Sequence, residues 1–233
     1  DIRDKRVLLS PLNWGMGHVS RCIGLIDQLL GQGNAVEIVS DEHQKSVFDQ
    51  YFRGRRGISN VIYPGYPFDF RGRGKFVQDL LRNWSDLKRH IDRENEVARS
   101  LQTTCLPDIY ISDHRYGFYS EDFPSIFITH QYNLPVSGIQ SVADRWHKKR
   151  MRPFDYIWIM DYEDSKLSGK MTEGINDNRV EFIGPYSRFS SYDLIRKKTE
   201  GTVVVVSGPE VYAQQFADQM EKEFPEALFV CPK

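Results

Sequence analysis

Apolar positions along this chain fall into two alternating rhythms. Arg6-Val-Leu-Leu-Ser-Pro-Leu12 is a short, almost continuous apolar run, the pattern of a strand buried on both faces. It gives way to the turn-forming stretch Asn13-Trp14-Gly15-Met16-Gly17. From His18 onward, Val19, Ile23, Ile26, Leu29 and Leu30 recur at helical spacing, and Gly31 with Gly33 supplies a stop. Ala35-Val-Glu-Ile-Val-Ser40 then predicts a second strand. Strand, glycine loop, helix and strand in this order make a βαβ unit.

The alternation continues. Glu42 to Phe52 predicts a helix, Ser59 to Pro64 a strand, and Lys75 to Thr103 a long helix with a polar face. Asp108 to Ser112 and Pro124 to Thr129 predict buried strands, followed by a basic helix from Ser141 to Arg152 and strands at Asp155 to Met160 and Arg179 to Gly184. Strands alternating with helices predict an α/β fold, a Rossmann-like, doubly wound parallel sheet. The polar stretch 186–200 reads as a linker. Beyond it a strand at Gly201 to Pro209 ending in a glycine turn, a helix at Glu210 to Phe224 and a strand at Ala227 to Cys231 start a second such unit. The expected organisation is a domain over 1–185, the linker, and the beginning of a second Rossmann-like domain over 201–233. Because the chain opens on Asp1 without an initiator Met and closes on an apolar run, the second domain is expected to be incomplete.

Composition narrows the function classes. Of 233 residues, Lys+Arg number 31 and Asp+Glu 32, a formal net charge of −1, so no overall basic field favours nucleic acid. No apolar run reaches the length of a membrane span. Cys22, Cys105 and Cys231 are too few and too scattered for a disulfide scaffold. The expectation is a cytoplasmic protein; contact with the inner face of a membrane through the basic segment Trp146 to Arg152 is the sharper reading of a stretch that a solvated helix face also explains.

Chemistry concentrates at the carboxyl ends of the predicted strands, the edge where open α/β sheets bind ligands. Asn13, Gly15, Met16 and Gly17 form a loop that opens the first helix, where free N–H groups can meet an anion. The spacing does not complete G-x-G-x-x-G, since Ser20 takes the last position. His18 lies in the first turn of that helix, whose dipole favours a neutral imidazole able to accept a proton. Asp113 ends another strand and can orient and stabilise an imidazolium. His114, His130 and Gln131 add polar groups at strand ends. A metal held by His18, His114 and His130 is conceivable, but typical ligand spacings are absent, so no metal or other cofactor is expected. His43, His90 and His147 fall in polar helical stretches and are expected to be solvated, and the arginines at 53–56 and 71–73 to lie in surface loops.

Gly15-Met-Gly-His18 followed by Ser20-Arg21, with Ile38-Val-Ser-Asp41 after the helix, resembles the amino-terminal domain of GT-B-fold glycosyltransferases of the MurG-type and UDP-glucuronosyltransferase-type group. Ile111-Ser-Asp113 and Ile126-Phe-Ile-Thr-His-Gln131 are similar to the strand ends lining the acceptor side of that cleft. The resemblance implies a transferase moving a sugar from a nucleotide-linked donor, UDP-linked in this group's manner, to a hydroxyl of a glycan or lipid-linked acceptor with inversion. It makes His18 the base and Asp113 its partner. It also implies that donor contacts lie mainly in the second domain, past residue 233, so that this stretch alone is expected to be inactive. Gly15-Met-Gly-His18 and Ser112-Asp113-His114 also look like a nucleotide-sugar hydrolase of pseudaminic acid synthesis, and a non-catalytic ligand-binding module of the same fold is the third alternative.

Overall fold

The computed structural model describes residues 1–67, 83–134, 141–189, 200–206 and 210–230. Seven parallel strands, β1 (Arg6–Pro11), β2 (Ala35–Ser40), β3 (Ile58–Ile62), β4 (Ile109–Asp113), β5 (Ser125–Thr129), β6 (Tyr156–Ile159) and β7 (Val180–Phe182), form one sheet in the order β3-β2-β1-β4-β5-β6-β7. The chain steps outward from β1 through β3, then restarts at β4 on the other side of β1 and runs to β7. That reversal is the switch point of a doubly wound sheet, and it opens a crevice above the carboxyl ends of β1 and β4. Register sets Pro11 against Asp113 there, and the Leu12 N–H donates to the Asp113 carbonyl at 2.9 Å.

Burial explains the sheet. Val7, Leu8 and Leu9 of β1 and Tyr110 and Ile111 of β4 are almost wholly enclosed, so these strands need cover on both faces. Helix α1 (Met16–Gly31) covers one face with Val19, Cys22, Ile23, Ile26 and Leu29. Helix α3 (Trp84–Cys105) lies over the other, where Ala98 and Cys105 join Leu8, Tyr110 and Phe118. Between them in sequence, α2 (Glu42–Tyr51) starts from an Asp41 capping box with Gln44, which satisfies donors at both ends of the first turn.

Sequence and structure differ at element ends. Of the long helix expected from Lys75, residues 75–82 lie outside the described residues; α3 begins at Trp84 after Asn83 and ends where Leu106 takes a left-handed conformation at φ 48°. The basic helix, α4 (Ser141–Arg150), stops short of Arg152, consistent with the steric bar that Pro153 places on a helical residue before it. The strand expected at Arg179 to Gly184 is reduced to three residues at the sheet edge.

A second, two-stranded parallel sheet pairs β8 (Val203–Val205) with β9 (Leu228–Val230), joined through α5 (Glu210–Glu223). Val204, Val206, Ala213 and Ala217 form its core. Most of the expected linker, residues 190–199, lies outside the described residues, as do the glycine turn at 207–209 and Cys231.

Candidate active site

The loop after β1 turns into α1 at Gly15, whose φ of 94° is one that side chains rarely adopt and glycine takes freely. Two residues into the helix stands His18. Three residues further, on the same helix face, is Arg21. β4 delivers Asp113 and His114, and β5 delivers Thr129, His130 and Gln131, all to the same edge of the sheet.

His18 and Asp113, far apart in sequence, meet: His18 Nδ1 lies 2.9 Å from Asp113 Oδ2. Asp113 is fully buried. Its carboxylate also accepts from Arg21 through Nε at 2.9 Å and through Nη2 on the other oxygen. The same guanidinium reaches His18 Nδ1 at 2.6 Å and His130 Nδ1 at 2.8 Å. Arg21 therefore sits at the centre of the constellation, joining one carboxylate and two imidazoles. Its place was readable only as three residues after His18; nothing in the sequence marks it as facing Asp113.

The charges follow from this packing. Burial works against ionising Asp113, but the adjacent charge of Arg21, then that of His18, and their hydrogen bonds overcome it and hold the carboxyl well below the usual range. Burial likewise opposes the charge on Arg21, and Asp113 outweighs it, raising that pKa. His130 moves the other way: burial, then the charges of Arg21 and His18, lower its pKa to about 4. His114, enclosed beside them, is lowered too, chiefly by burial.

A cavity of about 400 Å³ opens in front of these groups, lined by His18, His114, His130 and Gln131 and walled by Trp14, Trp84, Trp146 and Tyr116. Trp84 and Trp146 lie with ring centroids 4.5 Å apart, and Tyr116 meets Trp146 edge-on at 5.2 Å. These rings come from the β1 loop, two helices and the β4 loop, so no local motif announces them. The size is within the range of small-molecule sites.

His147 corrects the expectation of a solvated side chain. It is buried, with Nε2 2.7 Å from the Gln131 carbonyl and Nδ1 2.7 Å from the Tyr116 hydroxyl. A carbonyl only accepts, so Nε2 carries the proton and Tyr116 donates to Nδ1; burial lowers the pKa to about 4 and keeps the ring neutral. The polar run around it misled because His147 faces inward from a helix turn whose neighbours Lys148, Lys149 and Arg150 are partly or fully exposed. His90 is half-buried, between Tyr63 and Tyr66, and so is not solvated either. His43 is exposed.

The remaining expected site residues divide. His114, at φ 59°, lines the cavity with its Nε2 2.7 Å from Thr129 Oγ1. Asn13 uses its side chain to clasp the Tyr66 backbone, accepting from its N–H at 3.0 Å and donating to its carbonyl at 3.4 Å. Met16 packs on the core, whereas a side chain at Gly17 would meet open space. Among the described residues no cluster of three or more His, Cys, Asp or Glu could hold a metal ion. A cation among His18, His114 and His130 would face the guanidinium of Arg21. No helix among the described residues is long and apolar enough to cross a membrane.

No family model and no curated protein matches the chain by sequence. Solved structures do match. Arabidopsis thaliana UGT89C1 complexed with UDP-L-rhamnose is similar at a TM-score of 0.60 and 15% identity, over 100% of this chain and 70% of that one. Glycyrrhiza uralensis UGT73P12, complexed with glycyrrhetinic acid 3-O-monoglucuronide, matches at 0.56 and 12% over 98% and 69%. The glycotransferase of kitacinnamycin matches at 0.56 and 14% over 99% and 66%. The chain thus has the Rossmann-like α/β fold of GT-B UDP-glycosyltransferases, with the seven-stranded sheet corresponding to their amino-terminal domain.

Proposed function

We propose that this chain belongs to an enzyme that transfers a sugar from a nucleotide-sugar donor, UDP-linked in the leading case, to an acceptor hydroxyl in the cavity before His18. The observation that carries the reading is the 2.9 Å contact of His18 Nδ1 with the buried Asp113. With the Nδ1 proton donated to Asp113, the lone pair of Nε2 faces the cavity and accepts the acceptor's proton. The freed oxygen attacks the anomeric carbon from the side opposite the diphosphate. One C–O bond forms as the other breaks, inverting that carbon, and the nucleoside diphosphate leaves with the bonding pair. Asp113 stabilises the imidazolium that results.

The domain assignment belongs to the same proposal: residues 1–185 hold the acceptor, residues 186–200 link, and the unit from 201 belongs to the donor side. The UDP-sugar and UDP in complexes of structural neighbours support a nucleotide-sugar donor. The test is incubation of the intact protein with UDP-sugars, with and without a hydroxylated acceptor, followed by mass analysis. Glycosylated acceptor supports transfer. Free sugar and UDP formed equally without acceptor select the hydrolase reading, and no turnover of any donor contradicts both.

One observation favours a second reading, a ligand-binding module without catalysis. Arg21 Nη2 lies 2.6 Å from His18 Nδ1. A hydrogen bond donated there puts the His18 proton on Nε2, where it can bind an oxygen but cannot act as a base. The protonated nitrogen of His18, read from its two ring ¹⁵N shifts, separates the two: Nδ1–H belongs to the base, Nε2–H to the module.

A further inference from the structure

Arginine donates and never accepts. The contact of Arg21 Nη1 with His130 Nδ1 at 2.8 Å therefore requires a lone pair on that nitrogen. The ring is neutral beside the guanidinium, so its proton lies on Nε2. No hydrogen bond to Nε2 of His130 is formed among the described residues, and the ring lines the cavity. The arrangement converts a residue that could present either a donor or an acceptor into a fixed donor. Nη2 of the same guanidinium touches Nδ1 of His18, so the two imidazoles are held on neighbouring arms of one planar fork. Both rings line the same cavity, so one ligand can meet both residues.

We propose that His130, set by Arg21, is a specificity-determining residue: the site selects an acceptor whose reacting hydroxyl has a second, hydrogen-bond-accepting oxygen on the adjacent carbon. The hydroxyl meets Nε2 of His18 and the second oxygen accepts from Nε2–H of His130. This rests on the proposed function for the identity of the reacting hydroxyl. The indoles of Trp14, Trp84 and Trp146 give the rest of the molecule flat apolar walls, so a ring bearing the two oxygens is the form that fits.

Binding measured by tryptophan fluorescence of the intact protein tests this without reference to turnover. The probes are phenol, 2-methoxyphenol and 3-methoxyphenol; only the second has an acceptor oxygen next to its hydroxyl. The expected result is binding of 2-methoxyphenol about tenfold tighter than of either other probe, the worth of one additional neutral hydrogen bond, with His130→Phe removing the difference. Equal affinity for the three probes, binding of none, or a preference that survives His130→Phe overturns the proposal. Should that variant fail to fold, the ¹⁵N shifts of the unaltered protein decide: a proton on Nδ1 of His130 overturns it, one on Nε2 upholds it. A preference for 2-methoxyphenol without sugar transfer would reject the proposed function and leave this selectivity standing, whereas transfer without the preference would reject the selectivity alone.

Discussion

Replacing Asp113 by Asn keeps the shape of the side chain and removes its charge, which isolates what the carboxylate does for the buried cluster. Arg21 has only 13% of its side chain exposed, so solvent screens it little. In the variant its guanidinium loses its counter-charge, and at either oxygen position the new amide N–H₂ faces an Arg21 N–H donor. Breaking a buried pair from one side costs about 3–5 kcal/mol, and the slight exposure places this case near ~3 kcal/mol. Arg21→Met strands the carboxylate instead and should cost a similar amount. With both changed no charge is stranded, so the double variant should be less destabilised than the two single losses combined by about 2 kcal/mol, a coupling of the size that contacting residues show. Urea unfolding followed by tryptophan fluorescence is the suitable assay, because Trp14, Trp84, Trp146 and Trp158 all belong to the seven-stranded unit. A loss below about 1 kcal/mol for Asp113→Asn, or strict additivity in the double variant, would refute the view that Arg21 and Asp113 stabilise each other.

Two further outcomes follow from buried groups. His130 and His147 both have pKa values lowered to about 4 in the fold against about 6.5 unfolded. The unfolded chain therefore takes up protons first as pH falls, so stability is full above pH 6.5 and declines toward pH 4; the depressed Asp113 adds loss below its unfolded value. Urea midpoints at pH 7.5, 5.5 and 4.5 check the sign, and a rise on acidification contradicts it. Glu94 is buried and accepts from Arg115, from the Tyr66 hydroxyl at 2.9 Å and from the Gly117 N–H at 3.0 Å. Glu94→Gln should cost about 3 kcal/mol by stranding Arg115, and a loss under about 1 kcal/mol in the same urea assay contradicts that.

The inner strands β1, β4 and β5 were legible because they are compact, buried apolar runs, and their carboxyl ends could be marked as the ligand edge on that basis alone. Asp113 was legible as the polar end of such a run, and His18 as the histidine in the first turn of the helix that the glycine loop after β1 opens. The strand order was not: that β4 returns beside β1, bringing Asp113 within reach of His18, depends on tertiary packing. Arg21 was hidden because position on a helix gives direction but not the partner that the direction meets. His147 was misread because its neighbours Lys148, Lys149 and Arg150 make a polar run, and the inward turn of one residue leaves no trace in composition. The aromatic wall was hidden as well, since its rings arrive from separate elements.

The central claim is that His18 acts as the base for sugar transfer. Once a donor and acceptor are found, its most direct test is kcat/KM for transfer by the intact protein with His18 and with His18→Ala, at equal folded concentration verified by tryptophan fluorescence. General-base catalysis by a positioned side chain contributes about 10²–10⁴-fold, so the account predicts a loss of at least about 100-fold. Transfer by His18→Ala at the unaltered rate would contradict it.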